Sequence, residues 1–449
     1  MRCIYNLLFT VAFWVSVPYY FWRMWRRGNW REGFEQRFGQ FSAKTKQALT
    51  NRHVVWIHAV SVGEVNLCTQ LIHALEPRLP NVKLVVSTTT ATGMAELQKK
   101  LPSHIERIYF PIDRRRYVAR ALNVVHPEAV ILVEAEIWPN FLWRIQDKGI
   151  PCFLVNARLS ERSFRGYRRW SSLFRPLFAA FTAVGAQNEA DAGRLRELGC
   201  LPERICVVGS LKFDAAVLSE RRVLDVPGLL NQLGVPEGAI LLVAGSTHAG
   251  EEVMLASMFL RLRRRFPSLF LILVPRHHER SKEVAAEVGG LGLKLVYRTN
   301  LQPSTRHAPG EVDCLLVNTT GELRQFYAQA TVVYVGKSLG ATGGQNPIEP
   351  GALGKAMVFG PHMENFESIA AEFVKREAAM QVRGEAELET ALELLISDPG
   401  RRQRMGERAA EVVQENRGAL ERTLEMILEP LEQTELAPLL ATKRVSASA

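Results

Sequence analysis

The segment Thr331-Val-Val-Tyr-Val-Gly-Lys-Ser-Leu-Gly-Ala-Thr-Gly-Gly-Gln-Asn-Pro-Ile-Glu349 contains the pattern that decides the fold of this chain. Its first five residues form an apolar run typical of a buried strand, and a glycine-rich turn follows the run directly. Glycines allow backbone amides to approach a phosphate closely, and a helix that begins near Pro347 would add its positive N-terminal end. The carboxylate of Glu349 is placed to hold a ribose. A strand, a turn and a helix in this order predict a nucleotide-binding α/β unit.

Two further turns in the same half of the chain also follow apolar runs. Pro275-Arg-His-His-Glu-Arg280 comes directly after the run from Leu269 to Val274, and Gly245-Ser-Thr-His-Ala-Gly-Glu-Glu252 comes after Ile240 to Ala244. The turn at Gly245 resembles a phosphate loop but lacks the Walker pattern, so hydrolysis of ATP or GTP is not supported. The turn at Pro275 and the glycine-rich turn together predict a pocket for a nucleotide sugar.

Apolar runs that read as strands alternate with helical stretches along the whole chain. Continuous hydrophobic runs, separated by helices, are typical of buried parallel strands. The polar and glycine-rich residues cluster just past the strand ends, and ligands bind at that edge of a doubly wound sheet. The predicted strands are Val54 to Ala59, Leu84 to Ser87, Ile108 to Pro111, Ala129 to Val133, Phe153 to Asn156, Ala183 to Ala186, Ile205 to Val208, Ile240 to Ala244, Leu269 to Val274, Cys314 to Val317, Val332 to Val335 and Met357 to Phe359.

The length of the chain and its pattern of charge predict the domain boundaries. A chain of 449 residues is expected to form two or three domains. The core pattern gives way to charged and loop residues between Leu218 and Pro236, which predicts two α/β halves. We therefore predict an N-terminal segment at residues 1–30, one Rossmann-like domain at 31–218 and a second at 219–434. A tail helix from Pro399 to Leu431 is expected to cross back between the halves, and residues 435–449 are expected to be disordered.

The N-terminal segment differs in composition from the rest of the chain. Residues 4–20 are almost wholly apolar or aromatic, and a basic, tryptophan-rich stretch follows at 22–31. This order predicts a membrane anchor, and arginines placed after the apolar run keep the rest of the chain in the cytoplasm. A signal peptide is one alternative, although its basic end would come first. A re-entrant or interfacial helix is another, because Pro18 interrupts the run.

The formal net charge of +10 and the six scattered cysteines limit the class of protein. No nucleic-acid motif accompanies the positive charge, so no nucleic-acid partner is predicted. A surface that faces anionic phospholipid accounts better for the arginines near the anchor. The cysteines and histidines lack metal-ligand spacing, so we expect reduced thiols, no cofactor and no bound metal.

A first candidate catalytic residue is Glu64, in the motif His58-Ala-Val-Ser-Val-Gly-Glu64. The motif closes the first predicted strand and opens a helix, so Glu64 would lie where the helix dipole favours an ionised carboxylate. An ionised carboxylate there could accept a proton from a sugar hydroxyl. A glutamate that only caps the first turn of the helix is the alternative.

Two further candidate sites also follow predicted strands. Glu134 and Glu136 lie two residues apart at the end of a strand, so their side chains would share a face and their charges could couple. The alternative for this pair is a structural ion pair with Arg158. Lys212 lies in a turn after the strand that ends at Val208, where it could offset negative charge on a phosphate or a carboxylate. A salt bridge with Asp214 is the alternative for Lys212.

Taken together, these motifs resemble the family of 3-deoxy-D-manno-octulosonic acid (Kdo) transferases of lipid A biosynthesis. Each piece is short, but they occur in order over nearly the whole chain, and the ordered set is specific. The pieces are Ser61-Val-Gly-Glu64, Glu134-Ala-Glu-Ile-Trp-Pro139, Asn156-Ala-Arg-Leu-Ser160, Ala186-Gln-Asn-Glu189, Gly209-Ser-Leu-Lys-Phe-Asp214, Pro275-Arg-His277, Gly321-Glu-Leu323, Asn346-Pro-Ile-Glu349 and Gly360-Pro-His362.

The resemblance implies a GT-B fold, in which two Rossmann-like domains face each other across a cleft. It also implies an inverting transfer of Kdo, without a metal, from CMP-Kdo to the lipid A precursor lipid IVA. The first domain would bind the acceptor and the second the CMP-sugar, at the cytoplasmic face of the bacterial inner membrane. Glu64 matches the family's proton acceptor, and Glu134 and Lys212 match residues that stabilise the transition state. The positions that match CMP-binding residues are Pro275, Arg276, Thr320, Gly321, Glu322, Asn346, Pro347, Ile348 and Glu349.

Three residues depart from the family pattern, and three other functions are considered. Asn318 stands where aspartate is common, Lys337 stands where glycine is common, and Gln345 stands where histidine often precedes Asn-Pro. A GT-B transferase that uses a UDP-sugar on a lipid acceptor is compatible with the same pair of domains. A nucleotide-sugar epimerase is the other alternative, but it would have no use for a membrane anchor. A non-catalytic sensor of nucleotide sugars would not need Glu64 and Glu134.

Overall fold

The computed structural model describes residues 2–26, 32–134, 136–218, 224–434 and 436–440. The chain forms two compact units. Unit 1 comprises Met1–Ala215 and Gly418–Ala449, and unit 2 comprises Ala216–Arg417. The boundary lies three residues before the predicted end of the first domain, and the last segment of the chain returns to unit 1.

Unit 1 is built on a parallel sheet of seven strands with the order β3-β2-β1-β4-β5-β6-β7. Every residue of the central strands β1 and β4 is buried, because helices cover both faces, as the continuous apolar runs predict. The strands are β1 (Val54–His58), β2 (Lys83–Thr88), β3 (Glu106–Tyr109), β4 (Ala129–Val133), β5 (Cys152–Ala157), β6 (Ala183–Ala186) and β7 (Ile205–Val207).

Most α-helices of this part of the chain alternate with the strands, although the first two precede β1 and two others lie between β5 and β6. The helices are α1 (Arg2–Arg26), α2 (Ala43–Leu49), α3 (Val62–Leu75), α4 (Ala91–Lys100), α5 (Arg115–Val125), α6 (Pro139–Asp147), α7 (Glu161–Arg169), α8 (Ser171–Phe178), α9 (Glu189–Leu198) and α10 (Leu211–Leu218).

The first helix, α1, is attached to unit 1 by polar contacts near its N-terminus. The Tyr5 hydroxyl donates to the carboxylate of Asp113 at 2.8 Å, and Asn6 pairs with Asn140 at 3.1 Å through their side-chain amides. None of the described helices is both long and apolar enough to cross a membrane. The predicted membrane anchor is therefore not confirmed, and residues 27–31 of the basic flank lie outside the described part of the chain.

Unit 2 is built on a second parallel sheet of seven strands, with the order β10-β11-β9-β8-β12-β13-β14. Five of these strands are the predicted ones. The sequence did not predict β10 and β14, because each is a short, incompletely buried strand at one edge of the sheet. The strands are β8 (Ile240–Thr247), β9 (Leu269–Pro275), β10 (Leu295–Tyr297), β11 (Cys314–Leu316), β12 (Val332–Val335), β13 (Met357–Phe359) and β14 (Met380–Gln381).

Helices again connect most of the strands of unit 2. They are α11 (Val226–Gln232), α12 (Glu251–Arg263), α13 (Ser281–Gly289), α14 (Leu323–Gln329), α15 (Ile348–Ala352), α16 (Glu367–Lys375), α17 (Glu385–Ser397) and α18 (Pro399–Glu415). The helix predicted to begin near Pro347 is therefore α15, which is only five residues long.

The predicted tail helix is two helices, with α18 in unit 2 and a final helix, α19 (Ala419–Leu431), in unit 1. Gly418 separates them with a φ of +83°, a conformation that glycine adopts without strain. The carboxylate of Asp214 accepts hydrogen bonds from the backbone N–H groups of Gly418 and Leu420, both at 2.8 Å, and so fixes the start of α19. Of the tail predicted to be disordered, residues 436–440 are described, and Leu436 is fully buried.

Candidate functional site

The strand order of unit 1 places two of the predicted catalytic residues, Glu64 and Glu134, at one point of the sheet. The order reverses between β1 and β4, since β2 and β3 lie on one side and β5 to β7 on the other. In doubly wound sheets, ligands bind at the carboxyl edge beside such a reversal. Glu64 lies in the first turn of α3, the helix that follows β1, and Glu134 follows β4 directly. The two carboxylates therefore flank the position where this fold binds ligands.

Glu64 is held at the start of α3 by a capping box. The Ser61 hydroxyl accepts from the Glu64 N–H at 3.2 Å, and the Glu64 carboxylate accepts from the N–H groups of Val60 at 2.8 Å and Ser61 at 3.2 Å. Glu64 therefore does cap the helix, which is the alternative that the sequence suggested. Capping does not exclude a chemical role, because each carboxylate oxygen keeps a second lone pair for another partner.

The environment of Glu64 favours its protonated form. Burial raises the pKa of its carboxyl group, and the charge of Glu134 raises it further, while the two backbone N–H groups and the Ser61 side chain act in the opposite direction. The net pKa of Glu64 is above its ordinary value. A carboxylate with a raised pKa accepts a proton more readily, as a general base requires.

The charge of Glu134 acts on Glu136, although the two residues do not share a strand face as predicted. The strand ends at Val133, and Glu134 lies in a bend with a φ of +60°, so the prediction that both glutamates share one face of a strand is wrong. Burial raises the pKa of Glu136 to about 7, and the charges of Glu64 and Glu134 contribute to the increase. The three carboxylates therefore form one coupled group.

We expect the pKa of Glu136 to make the stability of unit 1 depend on pH. A carboxyl group with a raised pKa in the folded state stabilises the protein fully below its ordinary pKa, and this contribution is lost as the pH rises through about 7. Glu136→Gln carries no titrating group. The free energy of unfolding of the native chain, measured relative to that of Glu136→Gln, should fall by about 2 kcal/mol between roughly pH 5 and pH 8.

Denaturant unfolding of unit 1 at several pH values would measure this difference, with Glu203→Gln, at an exposed glutamate, as the matched control. Parallel pH profiles for the native chain and Glu136→Gln would contradict the assignment.

Lys212 lies in the first turn of α10, where the charges of Glu134 and Glu64 act on it. Burial lowers the pKa of its ammonium group, while the charges of Glu134 and Glu64 raise it. The carboxylates therefore help to keep a half-buried lysine charged. Both oxygens of Asp214, the alternative partner, accept from backbone N–H groups at the start of α19, so that carboxylate is engaged there.

Asn156 begins one of the motifs that carry the family resemblance, but the sequence did not show its structural role. It is fully buried near the end of β5 with a φ of +53°, and its side-chain oxygen accepts from the N–H of Leu211 at 3.1 Å. Since Leu211 is the first residue of α10, Asn156 fixes the start of the helix that carries Lys212. The signal in the sequence was an asparagine at a strand end, because asparagine tolerates a left-handed conformation better than most residues.

The strand order of unit 2 reverses between β8 and β12, and the glycine-rich turn follows β12 there. The glycines predict that the amides of this turn face an open phosphate site. The first amides of the turn do not face such a site. The buried carboxylate of Glu251 accepts from the N–H groups of Lys337 at 2.7 Å and Ser338 at 3.0 Å, and from the Tyr334 hydroxyl at 2.9 Å. An internal carboxylate therefore occupies the position that the sequence assigned to a phosphate.

The later part of the turn brings Asn346 and Glu349 together. The side-chain amide of Asn346 donates to Glu349 at 3.1 Å, and its oxygen accepts from the N–H of Ile348 at 3.0 Å. Burial raises the pKa of Glu349, whereas Asn346, Arg324 and Arg276 act to lower it. Arg276, which follows β9, is therefore close enough to Glu349 for their charges to interact.

The segment Thr320 to Glu322 lies before α14, and its carboxylate is already engaged. Glu322 forms an ion pair with Arg298 at 3.2 Å and accepts from the Thr319 hydroxyl at 2.6 Å. Asn318, one of the departures from the family pattern, pairs with Thr299 through its side chain. In the described part of the chain, no three histidine, cysteine, aspartate or glutamate side chains converge as metal ligands would.

Comparisons with known proteins agree on one family. The family model described as 3-Deoxy-D-manno-octulosonic-acid transferase (kdotransferase) matches residues 32–215. A 3-deoxy-D-manno-octulosonic acid transferase of Bordetella pertussis is 33% identical over 94% of this chain and 98% of its own length. Another, from Haemophilus influenzae, is 32% identical over 84% of this chain and 87% of its own length.

Among solved structures, UDP-GlcNAc 2-epimerase from Neisseria meningitidis has a TM-score of 0.57 and covers 84% of this chain and 100% of its own. At 14% sequence identity, this similarity shows a shared fold and nothing about the reaction.

Proposed function

The chain belongs to the 3-deoxy-D-manno-octulosonic acid transferase family, and from that premise we propose that it transfers Kdo from CMP-Kdo to lipid IVA. The observation that supports this reaction most strongly is the single charged group formed by Glu64, Glu134, Glu136 and Lys212 in unit 1. The two units correspond, in this proposal, to the acceptor and donor domains of a GT-B enzyme. Kdo transfer in lipopolysaccharide biosynthesis follows from the family itself.

In the proposed reaction, the Glu64 carboxylate accepts the proton of the acceptor hydroxyl. The hydroxyl oxygen forms a new bond to the anomeric carbon of Kdo, and the bond from that carbon to the phosphate oxygen breaks. CMP leaves with the electron pair, and attack from the opposite side inverts the anomeric configuration. Glu64 must be ionised at the start of this step, and its raised pKa helps it to take the proton.

Lys212 and Glu134 are proposed to stabilise charge in the transition state. Negative charge develops on the departing CMP, and the Kdo carboxylate is negative throughout, so a cation is needed beside the reacting centre. Lys212 supplies this charge, and the interaction with Glu134 favours its protonated form despite burial. Glu134 therefore acts at least in part by keeping Lys212 charged.

Unit 2 is proposed to hold the CMP moiety of the donor. Arg276 and Glu349 lie near each other at the carboxyl edge of its sheet, and the segments Thr320 to Glu322 and Asn346 to Glu349 are the matching family positions. Equilibrium binding tests this assignment: CMP should bind more tightly than UMP or UDP. Tighter binding of UDP, together with conversion of a UDP-sugar in the absence of any lipid, would favour the epimerase alternative instead.

We also propose that the reaction needs no metal ion and no other cofactor, as the family resemblance implies. Transfer should continue after prolonged treatment with EDTA. Loss of activity that is restored by a divalent cation would contradict this part of the proposal.

We propose that α1 lies on the cytoplasmic face of the bacterial inner membrane. One side of the helix carries the polar contacts to unit 1, and the other exposes large apolar side chains to solvent. An amphipathic helix with tryptophans and basic residues is suited to the interface between lipid head groups and acyl chains. The exposed apolar residues are Ile4, Leu7, Leu8, Val11, Trp14, Val15, Tyr19, Trp22 and Trp25.

Charged substitutions on this exposed face should release the protein from membranes. The double variant Leu8→Lys and Val15→Lys replaces side chains that are 55% and 76% exposed, so the fold of unit 1 should be preserved. Burying such a side chain in lipid contributes about 1.5–3 kcal/mol, so we expect at least a tenfold loss of vesicle binding. Co-sedimentation with vesicles that contain anionic phospholipid measures this loss.

Leu291→Lys, at another exposed leucine, is the control for this double variant. Neutralising Arg26 and Arg27 tests separately whether electrostatic attraction contributes to vesicle binding. Unchanged vesicle binding and unchanged turnover of the lipid acceptor in all of these variants would contradict a membrane role for α1.

A further inference from the structure

Lys337 occupies a position in unit 2 that is unfavourable for a lysine. It is the second residue after β12, beside the reversal of strand order between β8 and β12, and its φ is +56°. Left-handed backbone conformations are disfavoured for residues that carry a Cβ atom and are adopted readily by glycine. A strained residue at a ligand-binding edge of a sheet suggests that its side chain has a function.

The backbone around Lys337 cannot supply the positive charge that an anionic ligand would need there. Glu251 is 1% exposed, and its carboxylate already binds the N–H groups of Lys337 and Ser338. These amides are therefore satisfied from inside the protein. A ligand at this edge must find its positive partner among the side chains.

The side chain of Lys337 crosses the glycine-rich turn and reaches Gly343. A Cβ atom added at Gly343 would lie 3.3 Å from the Lys337 Nζ, so the ammonium group lies directly against the backbone of the turn. Among the described residues, no carboxylate forms an ion pair with this ammonium. Lys337 is half-buried.

Two histidines lie nearby, one after β8, which pairs with β12, and one after β9, which pairs with β8. His248 follows β8 and His277 follows β9, and their ring centroids are 5.8 Å apart. The charge of Lys337 contributes to lowering the pKa of His248, after the larger effect of burial, so the two side chains are neighbours. Lys337 and His248 therefore lie together at the edge where the strand order reverses.

We propose that the Lys337 ammonium binds the phosphate of CMP in the donor. This inference rests on the proposed function and adds a residue to it. In doubly wound sheets, the phosphates of a nucleotide lie at the reversal of strand order, which is where Lys337 projects. The turn that carries Lys337 also leads directly to Asn346 and Glu349, the proposed nucleotide positions. A lysine thus provides the charge that the amides bound to Glu251 cannot.

The variant Lys337→Gly tests the effect of Lys337 on CMP binding separately from any effect on folding. Glycine suits a φ of +56°, so the thermal midpoint of unit 2 should not fall. Loss of one ammonium–phosphate contact should weaken CMP binding by roughly tenfold in isothermal titration calorimetry. Binding of cytidine, which has no phosphate, should be unchanged, and Lys337→Arg should keep most of the affinity for CMP.

Two results would overturn the contact between Lys337 and the phosphate, and a third would contradict the proposed function on which it rests. Unchanged CMP affinity in Lys337→Gly, with an unchanged KM for CMP-Kdo, would show that Lys337 does not bind the donor. Unchanged CMP affinity with a raised KM for CMP-Kdo would move the contact from the phosphate to the Kdo carboxylate. Absence of CMP binding by the native chain would instead contradict the proposed donor, and with it this inference.

Discussion

Replacing Glu64 with glutamine is expected to lower the rate of Kdo transfer by about 1,000-fold or more. Glutamine preserves the size of the side chain but cannot accept the proton of the acceptor hydroxyl at neutral pH. Because the proposed nucleotide positions lie in unit 2, the affinity for CMP should stay within about twofold of that of the native chain. Turnover at saturating substrates, measured beside CMP binding, distinguishes lost chemistry from lost binding.

Ser61→Ala is the matched control for Glu64→Gln, because both variants disturb the same capping box. The alanine removes the acceptor for the Glu64 N–H, at a cost of about 1 kcal/mol in unfolding free energy, and leaves the carboxylate in place. We expect Ser61→Ala to keep activity within about tenfold of the native rate once its lower stability is taken into account. If both variants lose activity equally, Glu64 acts as a helix cap and not as the base.

Replacing Lys212 with methionine is expected to lower kcat by about 100- to 1,000-fold. Methionine keeps an unbranched apolar side chain of similar length, so the change chiefly removes the charge. The pH dependence should change as well. The Lys212 cation favours the ionised form of Glu64, since the attraction between the two charges is reciprocal. Without it the pKa of Glu64 rises further, and the pH below which activity is lost should move upward.

Lys99→Met, at an exposed lysine of α4, is the control for Lys212→Met. Lys212→Arg should recover part of the rate because it restores the positive charge. A loss of kcat in Lys212→Met without any shift of the pH profile would mean that Lys212 does not interact with Glu64. A normal kcat would remove Lys212 from the reaction.

The positions of the residues at strand ends could be predicted from the sequence, because they depend on the local pattern of apolar and polar residues. A buried strand reads as a continuous apolar run, and a serine followed three residues later by a glutamate reads as a helix start. Those two signals place Glu64 at the carboxyl edge of the sheet, where the structure has it. The strand order, which makes that edge a ligand-binding point, depends on pairing between distant segments and became known only from the structure.

Other features depend on contacts between distant residues and left little signal in the sequence. Glu251 lies 86 residues from Lys337, so the sequence could not show that its carboxylate fills the glycine-rich turn. In the same way, Asn156 binds Leu211 across 55 residues. The strand before Glu134 ends at Val133, as predicted, but Glu134 and Glu136 do not share a strand face, because the chain bends at Glu134 with a positive φ that glutamate rarely adopts.

The composition of the N-terminal segment predicts only part of its structure. An apolar, aromatic run predicts contact with lipid, and α1 does expose such residues. The same run contains Tyr5 and Asn6, whose hydrogen bonds to Asp113 and Asn140 attach the helix to unit 1. Hydropathy alone does not distinguish a helix that spans a membrane from one that lies along it, because both bury apolar side chains in lipid.

We propose that this chain transfers Kdo to lipid IVA with Glu64 as the base. The most direct test is the mass spectrum of lipid IVA after incubation in detergent with CMP-Kdo generated in place, for the native chain and for Glu64→Gln. We predict Kdo-bearing lipid with the native chain and almost none with the variant. No Kdo product from the native chain, while a UDP-sugar is transferred to the same lipid, would contradict the proposed reaction. Equal product from both proteins would contradict the role of Glu64.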